Sequence, residues 1–153
     1  MSDNRDAVRA WLQMLSAANA MKKSIDARLR ARFGVSLSRF DAMAALQRAG
    51  ADGLRAGELS QALMVTEGNT TQLTASLARD GLIRRAASPG DARVAILHLT
   101  KKGELLFAEM AQEHRDWVAE VFADAPHPQM AAFRRFLSKL KIPERPEAKR
   151  DAA

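Results

Sequence analysis

The fold is decided by residues 58–103, which read ELSQALMVTEGNTTQLTASLARDGLIRRAASPGDARVAILHLTKKG. Apolar residues recur at helical spacing as far as Gly81, which stops the pattern. Two runs rich in isoleucine and valine follow, at 82–85 and 93–99, and the turn-forming cluster SPGD separates them at 88–91. The stretch therefore predicts short helices followed directly by a β-hairpin.

The helical part of this stretch divides into two short helices. One covers about Ala56 to Met64, and the second is capped by Thr66 and runs to about Asp80. Two short helices joined by so tight a turn are typical of a helix-turn-helix. If Leu73 and Leu77 point into the core, the second helix turns a small polar face outward.

The segments before this stretch predict two more helices. A long one covers roughly Asp6 to Arg30 and ends at Gly34. Another begins at Ser38 with the spacing of a capping box and closes in a turn at 50–53. The apolar stripe of the long helix is narrow, and the length of this helix exceeds what a small core requires. Packing against another chain and packing across its own domain are both open at this point.

The segments after the hairpin also read as helices. Thr100 caps a long one, and Pro126 and Pro128 interrupt the pattern before a last amphipathic helix. The tail from Pro143 to Ala153 is charged and is predicted to be disordered.

Composition limits the classes of protein. The 153 residues contain no cysteine, which favours a reducing compartment and excludes disulfides and thiolate metal sites. Neither a secretory signal nor a membrane span is indicated, so a cytoplasmic protein without a membrane partner is expected. The net charge is +6. Residues 79–102 carry six basic and two acidic residues, net +4, whereas residues 103–133 carry one and six, net −5. Such segregation suits contact with nucleic acid on one side.

The order of these elements and five short motifs resemble the MarR family of winged helix-turn-helix transcriptional regulators, closely over about 37–107. The motifs are ELSQAL at 58–63, VTEGNTTQL at 65–73, DGLIRR at 80–85, DAR at 91–93 and LTKKG at 99–103. The expected fold is mainly α with a small β-hairpin. It forms a single domain over 1–153: an N-terminal dimerisation helix at 6–33, the winged helix-turn-helix at 37–103, C-terminal dimerisation helices at 104–141 and a tail at 142–153.

The predicted DNA-binding residues lie on three elements. Small polar side chains of the second short helix suit major-groove contacts, since amides pair with adenine and hydroxyls reach phosphates or bases. On the wing, a guanidinium held by a nearby carboxylate suits the narrow minor groove. Residues at the base of the wing and at the start of the helix that begins at Ser38 are suited to contacts with the DNA backbone. The full set is Ser38, Arg39, Thr66, Gly68, Asn69, Thr71, Gln72, Ser76, Arg84, Arg85, Asp91 and Arg93.

The resemblance also implies a homodimer on a palindromic DNA operator and a small, often aromatic, effector that releases the protein from it. The expected function is thus ligand-responsive repression, with double-stranded DNA as the partner. The residues expected at the effector pocket are Trp11, Met14, Met21, Phe40, Met43, Met110 and Trp117, although such residues at helical spacing more often form a core. Arg9, Arg28 and Arg32 suit neutralisation of an acidic ligand, and His114 suits sensing of its proton.

Other function classes fit less well. The histidines His98, His114 and His127 are scattered, and no glycine-rich phosphate loop is present, so no catalytic, cofactor or metal site is expected. A winged helix used for protein contacts or for sequence-independent DNA binding remains the alternative.

Overall fold

The structure is a computed structural model that describes residues 4–64 and 69–143. These residues are mostly helical and include a small antiparallel sheet, which confirms the predicted fold class. The helices are α1 (Asn4–Phe33), α2 (Leu37–Ala49), α3 (Ala56–Ala62), α4 (Thr70–Arg79), α5 (Lys101–Val121) and α6 (His127–Ser138). The strands are β1 (Leu54–Arg55), β2 (Ile83–Ser88) and β3 (Asp91–Leu99).

The junction between α1 and α2 is a set of backbone caps. Gly34 has φ +66° and donates its N–H to the carbonyl of Arg30 at 3.0 Å, which ends α1 as predicted. The side chain of Ser36 accepts from the N–H of Arg39 and is the N-cap of α2. The predicted capping box at Ser38 is therefore wrong, because the helix already begins at Leu37.

The start of α4 also differs from the prediction. Asn69 is its N-cap, since the side-chain oxygen accepts from the N–H of Gln72 at 3.2 Å. The expected cap at Thr66 is wrong, and Thr66 and Gly68 themselves lie outside the described residues. The far end follows the prediction, with Asp80 as C-cap and Gly81 at φ +71°. The predicted tail lies outside the described residues from 144 onward.

The hairpin is extended by a strand that the sequence did not indicate. The sheet has the order β1-β3-β2, and β2 pairs antiparallel with β3 from Ile83–Leu99 to Ala87–Ala95. The short β1 adds Leu54 opposite Leu97 on the other edge. A Cβ at Gly53 would lie 2.5 Å from the Leu97 carbonyl oxygen, so only glycine allows this approach.

The core lies under the helix-turn-helix and the base of the sheet. It is formed by fully or almost fully buried apolar side chains from α1, α2, α3, α4, the residue before β2, β3 and α5: Leu29, Met43, Leu46, Leu59, Leu77, Leu82, Leu97 and Met110. The amino-terminal half of α1 is exposed throughout. None of the described helices combines the length and apolar character of a membrane span.

The chain forms two compact units. The first runs to Trp117 and contains α1 to α4, the sheet and most of α5. The second begins at Val118 and contains the end of α5 and α6. α6 presents large apolar side chains to solvent, among them Phe133, Phe136 and Leu137.

Candidate nucleic-acid interface

The outward face of α4 is small and polar, as predicted. Leu77 and Thr74 are buried in the core, whereas Thr71 and Gln72 are exposed. Ser76 is half-buried. The hydroxyl of Thr74 donates to the Thr71 carbonyl at 3.1 Å, so its polar group is used within the helix. The exposed amide and hydroxyl are therefore the groups of this face that can reach another molecule.

The amino-terminal end of α4 is held by its own polar residues. Asn69 uses its side-chain oxygen in the helix cap and retains its amide N–H groups for an outside partner. The hydroxyl of Thr70 donates to that of Ser60 at 3.1 Å, which joins α4 to α3. The end of α4 that was predicted to approach DNA is thus positioned without covering Thr71 and Gln72.

The wing presents one arginine to solvent in a fixed turn. The Asp91 carboxylate accepts from the backbone N–H of Arg93 at 3.0 Å and from its Nε at 3.2 Å. These hydrogen bonds, the backbone one first, hold the pKa of the Asp91 carboxyl below its usual value. The Arg93 side chain is 92% exposed. The carboxylate therefore orients a guanidinium that nothing in the described fold covers.

The base of the wing carries two arginines with different surroundings. Arg85 is exposed and donates a long hydrogen bond of 3.5 Å to the Thr74 hydroxyl, which places it beside α4. Arg84 is exposed and lies at the register position opposite His98. Arg85 thus adds positive charge next to the polar face of α4.

Arg55 is a candidate interface residue that sequence reasoning missed. It lies in β1, beside the central strand β3, and its charge also favours the ionised form of Asp91. A strand of two residues has no hydrophobic periodicity, so the sequence offered no signal for its position.

The carboxyl-terminal end of α4 is bound by a cluster that we call the clasp: Arg39, Asp80, Thr100 and Lys102. The Arg39 guanidinium donates to the Asp80 carboxylate, and Lys102 donates to the Asp80 carbonyl at 2.9 Å. The Thr100 hydroxyl donates to the Gly81 carbonyl at 2.6 Å and accepts from the N–H of Gly103 at 3.0 Å, which confirms the predicted cap of α5.

Arg39 and Ser38 were expected to contact the DNA backbone. The Arg39 side chain is only 17% exposed, its Nε is buried, and its terminal nitrogen is engaged by Asp80. The half-buried Ser38 lies one residue before it in the first turn of α2. The structure gives Arg39 a place in the clasp, and its contact with phosphate stays a prediction.

The predicted effector-pocket residues fall into three environments. Phe40, Met43 and Met110 are buried in the core. Trp11 and Met14 are exposed on α1, whereas Met21 and Trp117 are half-buried. The cavities of the first unit include three of about 280, 330 and 410 Å³, and none of the three is lined by these seven residues. A pocket formed by these seven side chains stays a prediction.

The groups proposed to sense an acidic ligand are placed as follows. His114 stacks against Phe40, with ring centroids 4.9 Å apart. Burial, and then the nearby charge of Arg115, lowers the pKa of His114 below its usual value, so the ring is neutral at pH 7. Arg32 pairs with Glu113 at 2.8 Å, and Arg28 lies over the Trp117 ring at 5.7 Å. Arg9 pairs with Asp6 on the exposed surface.

Comparisons with known proteins agree on one family. The family model described as MarR family matches residues 33–94. The crystal structure of a MarR family transcriptional regulator from Silicibacter pomeroyi aligns with this chain with a TM-score of 0.75 and 31% sequence identity. The alignment covers 92% of this chain and 99% of that protein. A MarR family transcriptional regulator from Streptomyces coelicolor, solved in complex with DNA, is 22% identical. It covers 88% of this chain and 84% of its own with a TM-score of 0.76, which shows a shared fold.

A curated relative gives a shorter match. An uncharacterised HTH-type transcriptional regulator of Bacillus subtilis is 28% identical over 85 residues, which are 56% of this chain and 58% of that protein. The chain thus spans less than two thirds of this relative. The residues matched by the family model, 33–94, include the helix-turn-helix.

Proposed function

The chain belongs to the MarR family of transcriptional regulators, which are not enzymes, and from this membership we propose that it binds a two-fold symmetric DNA operator as a homodimer. In this proposal α4 enters the major groove with Gln72 and Thr71 against the bases, and Arg93 of the wing enters the adjacent minor groove. We also propose that it acts in the cytoplasm, where bacterial regulators of this family meet the chromosome.

The observation that carries the proposal is that α4 exposes polar side chains while the adjacent wing exposes arginines. Gln72 and Thr71 are exposed on the helix, and Arg93 projects from the wing while Asp91 fixes its backbone and its Nε. Arg85, in strand β2 of the wing, donates a long hydrogen bond to the Thr74 hydroxyl of α4. Polar side chains that can contact bases and arginines that can contact the DNA backbone or minor groove thus lie on neighbouring elements. A winged helix needs this distribution to bind DNA.

The dimer follows from the geometry of B-DNA and from uncovered apolar surface. Two recognition helices enter successive major grooves on one face of DNA when they lie about 34 Å apart, and a symmetric dimer supplies that spacing. α1 exposes Val8, Trp11, Leu12 and Leu15 to solvent, each by more than 40%. Such a row of large apolar side chains is typical of a surface that a second chain covers. α6 offers a second exposed apolar row, also proposed to contact the partner.

The response to a ligand is the second part of the proposal. Binding of a small effector would lower the affinity for the operator, which makes the protein a repressor that the effector relieves. Support for this part comes from the family resemblance.

Selection of binding sites from random duplex DNA with the purified full chain tests the proposal. We expect an inverted repeat whose half-site centres are about 10 base pairs or a multiple apart. Recovery of unrelated sequences would leave sequence-independent DNA binding as the function. Absence of DNA binding would leave protein contacts.

The dimer is tested separately by sedimentation. Leu15→Glu places a charge in the apolar row of α1 and should give monomers with greatly reduced operator affinity. Gln13→Glu adds the same charge to the same exposed helix, two residues away, and should remain dimeric. Dimers of Leu15→Glu as stable as the unmodified chain would remove this face of α1 from the interface.

A further inference from the structure

A polar cavity of about 330 Å³ lies at the base of the wing and shares no lining residue with the predicted effector pocket. The end of α2 and the turn after it form one wall, and the start of α5 forms another. β2 and β3 contribute Arg84 and His98, α2 contributes Gln47, and α5 contributes Glu104. Its volume is at the lower end of the range for small-molecule sites.

The polar side chains that line this cavity have unused hydrogen-bonding capacity. Within residues 4–64 and 69–143, neither a hydrogen bond nor an ion pair engages the side chains of Arg84, Gln47 or His98. In the same described part of the chain, the Glu104 carboxylate has only a loose ion pair with the exposed Lys101, at 3.9 Å. A cation, an anion, an amide and an imidazole thus line one cavity without satisfying one another.

The positions of the cation and the imidazole are set by the fold. Arg84 and His98 are partners in the register of β2 and β3, so they are neighbours across the sheet. The turn before β1 closes on His98, since a Cβ at Gly53 would lie 2.7 Å from its Cε1. The sheet and this turn therefore set the positions of Arg84 and His98 in the cavity lining, while α5 contributes Glu104.

We propose that this cavity binds a small zwitterion of the size of a free amino acid. The guanidinium of Arg84 receives the carboxylate, for which its paired N–H donors are suited, and the carboxylate of Glu104 receives the ammonium group. Gln47 and His98 supply the remaining hydrogen bonds, and Leu46 and Leu99 contact the apolar part of the ligand. Neither a simple acid nor a simple amine pairs with both Arg84 and Glu104.

The consequence for regulation rests on the proposed function. Arg84 belongs to β2, the strand that leads into the wing, and is itself a predicted contact to the DNA backbone. A bound zwitterion would engage Arg84 and connect the wing to the start of α5. Because Arg84 is then withdrawn from phosphate, operator affinity should fall when the cavity is filled.

Isothermal titration calorimetry of the full chain with each of the twenty standard L-amino acids tests the site. We expect saturable binding of at least one of them, lost when the same amino acid carries an N-acetyl group or a carboxamide in place of its carboxylate. Failure of all twenty to bind would overturn the proposal, as would equal binding of the blocked forms.

Two variants and a control locate the binding. Arg84→Gln and Glu104→Gln should each lower the affinity for the amino acid by at least about tenfold, since each removes a charge-assisted hydrogen bond. Arg48→Gln, at an exposed position of α2 outside the cavity lining, should bind it unchanged. Unchanged binding by both cavity variants would place the ligand elsewhere and overturn the assignment.

Operator binding separates this inference from the proposed function. Glu104→Gln should bind the selected operator as tightly as the unmodified chain and should no longer respond to the amino acid. An unmodified chain that binds its operator but no amino acid would refute the cavity proposal alone. A chain that binds an amino acid but no DNA would refute the proposed function, and the regulatory role with it, and would leave the binding site in place. Operator affinity that the bound amino acid does not change would refute the regulatory role alone.

Discussion

The two ends of α4 are built in opposite ways. At the amino-terminal end, Thr71 and Gln72 are exposed, and Asn69 caps the helix with only its side-chain oxygen. At the carboxyl-terminal end, Asp80 accepts from both Arg39 and Lys102. One end is open to another molecule, and the other is joined to α2 and α5. The clasp and the Thr70–Ser60 hydrogen bond together fix the orientation of α4 and leave Thr71 and Gln72 exposed.

This difference also divides the family motifs by role. The DGL and TKKG motifs lie in the clasp and its supports, where hydroxyl and ammonium groups satisfy the carbonyls at the end of α4. The NTTQ motif lies at the open end. Motif residues at the clasp should therefore affect stability first, whereas those at the open end should affect DNA affinity first.

The largest effect is expected for Gly103→Ala. A Cβ at this position would lie 2.0 Å from the Leu82 carbonyl oxygen, a backbone atom that also accepts from Thr100, so α5 would have to move off the clasp. The free energy of unfolding should fall by about 3 kcal/mol or more, as measured by chemical denaturation. Gly57→Ala in α3 is the control, since a Cβ there would meet no atom of a neighbouring element within 4 Å. It should be neutral or stabilising by up to about 1 kcal/mol. Equal effects of the two changes would contradict the close contact.

Arg93→Ala should weaken operator binding by about 1–3 kcal/mol and leave the unfolding transition in place. The physical reason is that the Arg93 side chain is 92% exposed and, among the described residues, is hydrogen-bonded to Asp91 alone, so the fold loses little while the wing loses its cation. Fluorescence anisotropy with labelled operator measures the affinity. Ala92→Gly, at the exposed neighbouring position, should change DNA affinity much less. Unaltered affinity in Arg93→Ala would remove the wing from the interface.

Gln72→Ala should have a smaller and more selective effect. Its side chain is exposed on the open end of α4, and its backbone N–H, which bonds Asn69, is retained by alanine. Affinity for the selected operator should fall by about 1–2 kcal/mol, whereas affinity for random DNA should hardly change. Competition between the two DNAs gives both values. An equal loss on both would show that Gln72 does not read bases.

The smallest effect is expected for His114→Phe, which changes the packing behind Arg39 of the clasp and the pH dependence of stability. His114 packs on Phe40, the neighbour of Arg39, and its pKa is lowered by burial and by Arg115. The pKa of this histidine in the unfolded chain is about 6.5, and its pKa in the folded protein is lower. As pH falls below about 6.5, the unfolded chain takes up the proton more readily, so the folded protein becomes less stable. His114→Phe should flatten the decline in thermal stability below pH 6.5. His127→Gln, at an exposed position of α6, should retain it. An unchanged decline in His114→Phe would assign it to other groups.

Much of the site could be predicted because its signals are local. The outward direction of Gln72 follows from the spacing of Leu77 along one helix, and the pairing of Asp91 with Arg93 spans two residues. The engagement of Arg39 could not be predicted, because its partner Asp80 is 41 residues away. The N-caps were misplaced for a similar reason: several polar residues near each start can serve as caps, and Ser36 and Asn69 do so here.

The sequence by itself determined the helix-turn-helix, the hairpin after Gly81 and the polar face of α4, since periodicity and turn residues act between near neighbours. Only the tertiary structure decided that β1 joins the sheet and that Gly103 must lack a side chain against Leu82. It also brought Gln47, Arg84 and Glu104 to one cavity. These arrangements depend on contacts between segments far apart in the chain, and such contacts leave no periodic pattern in the sequence.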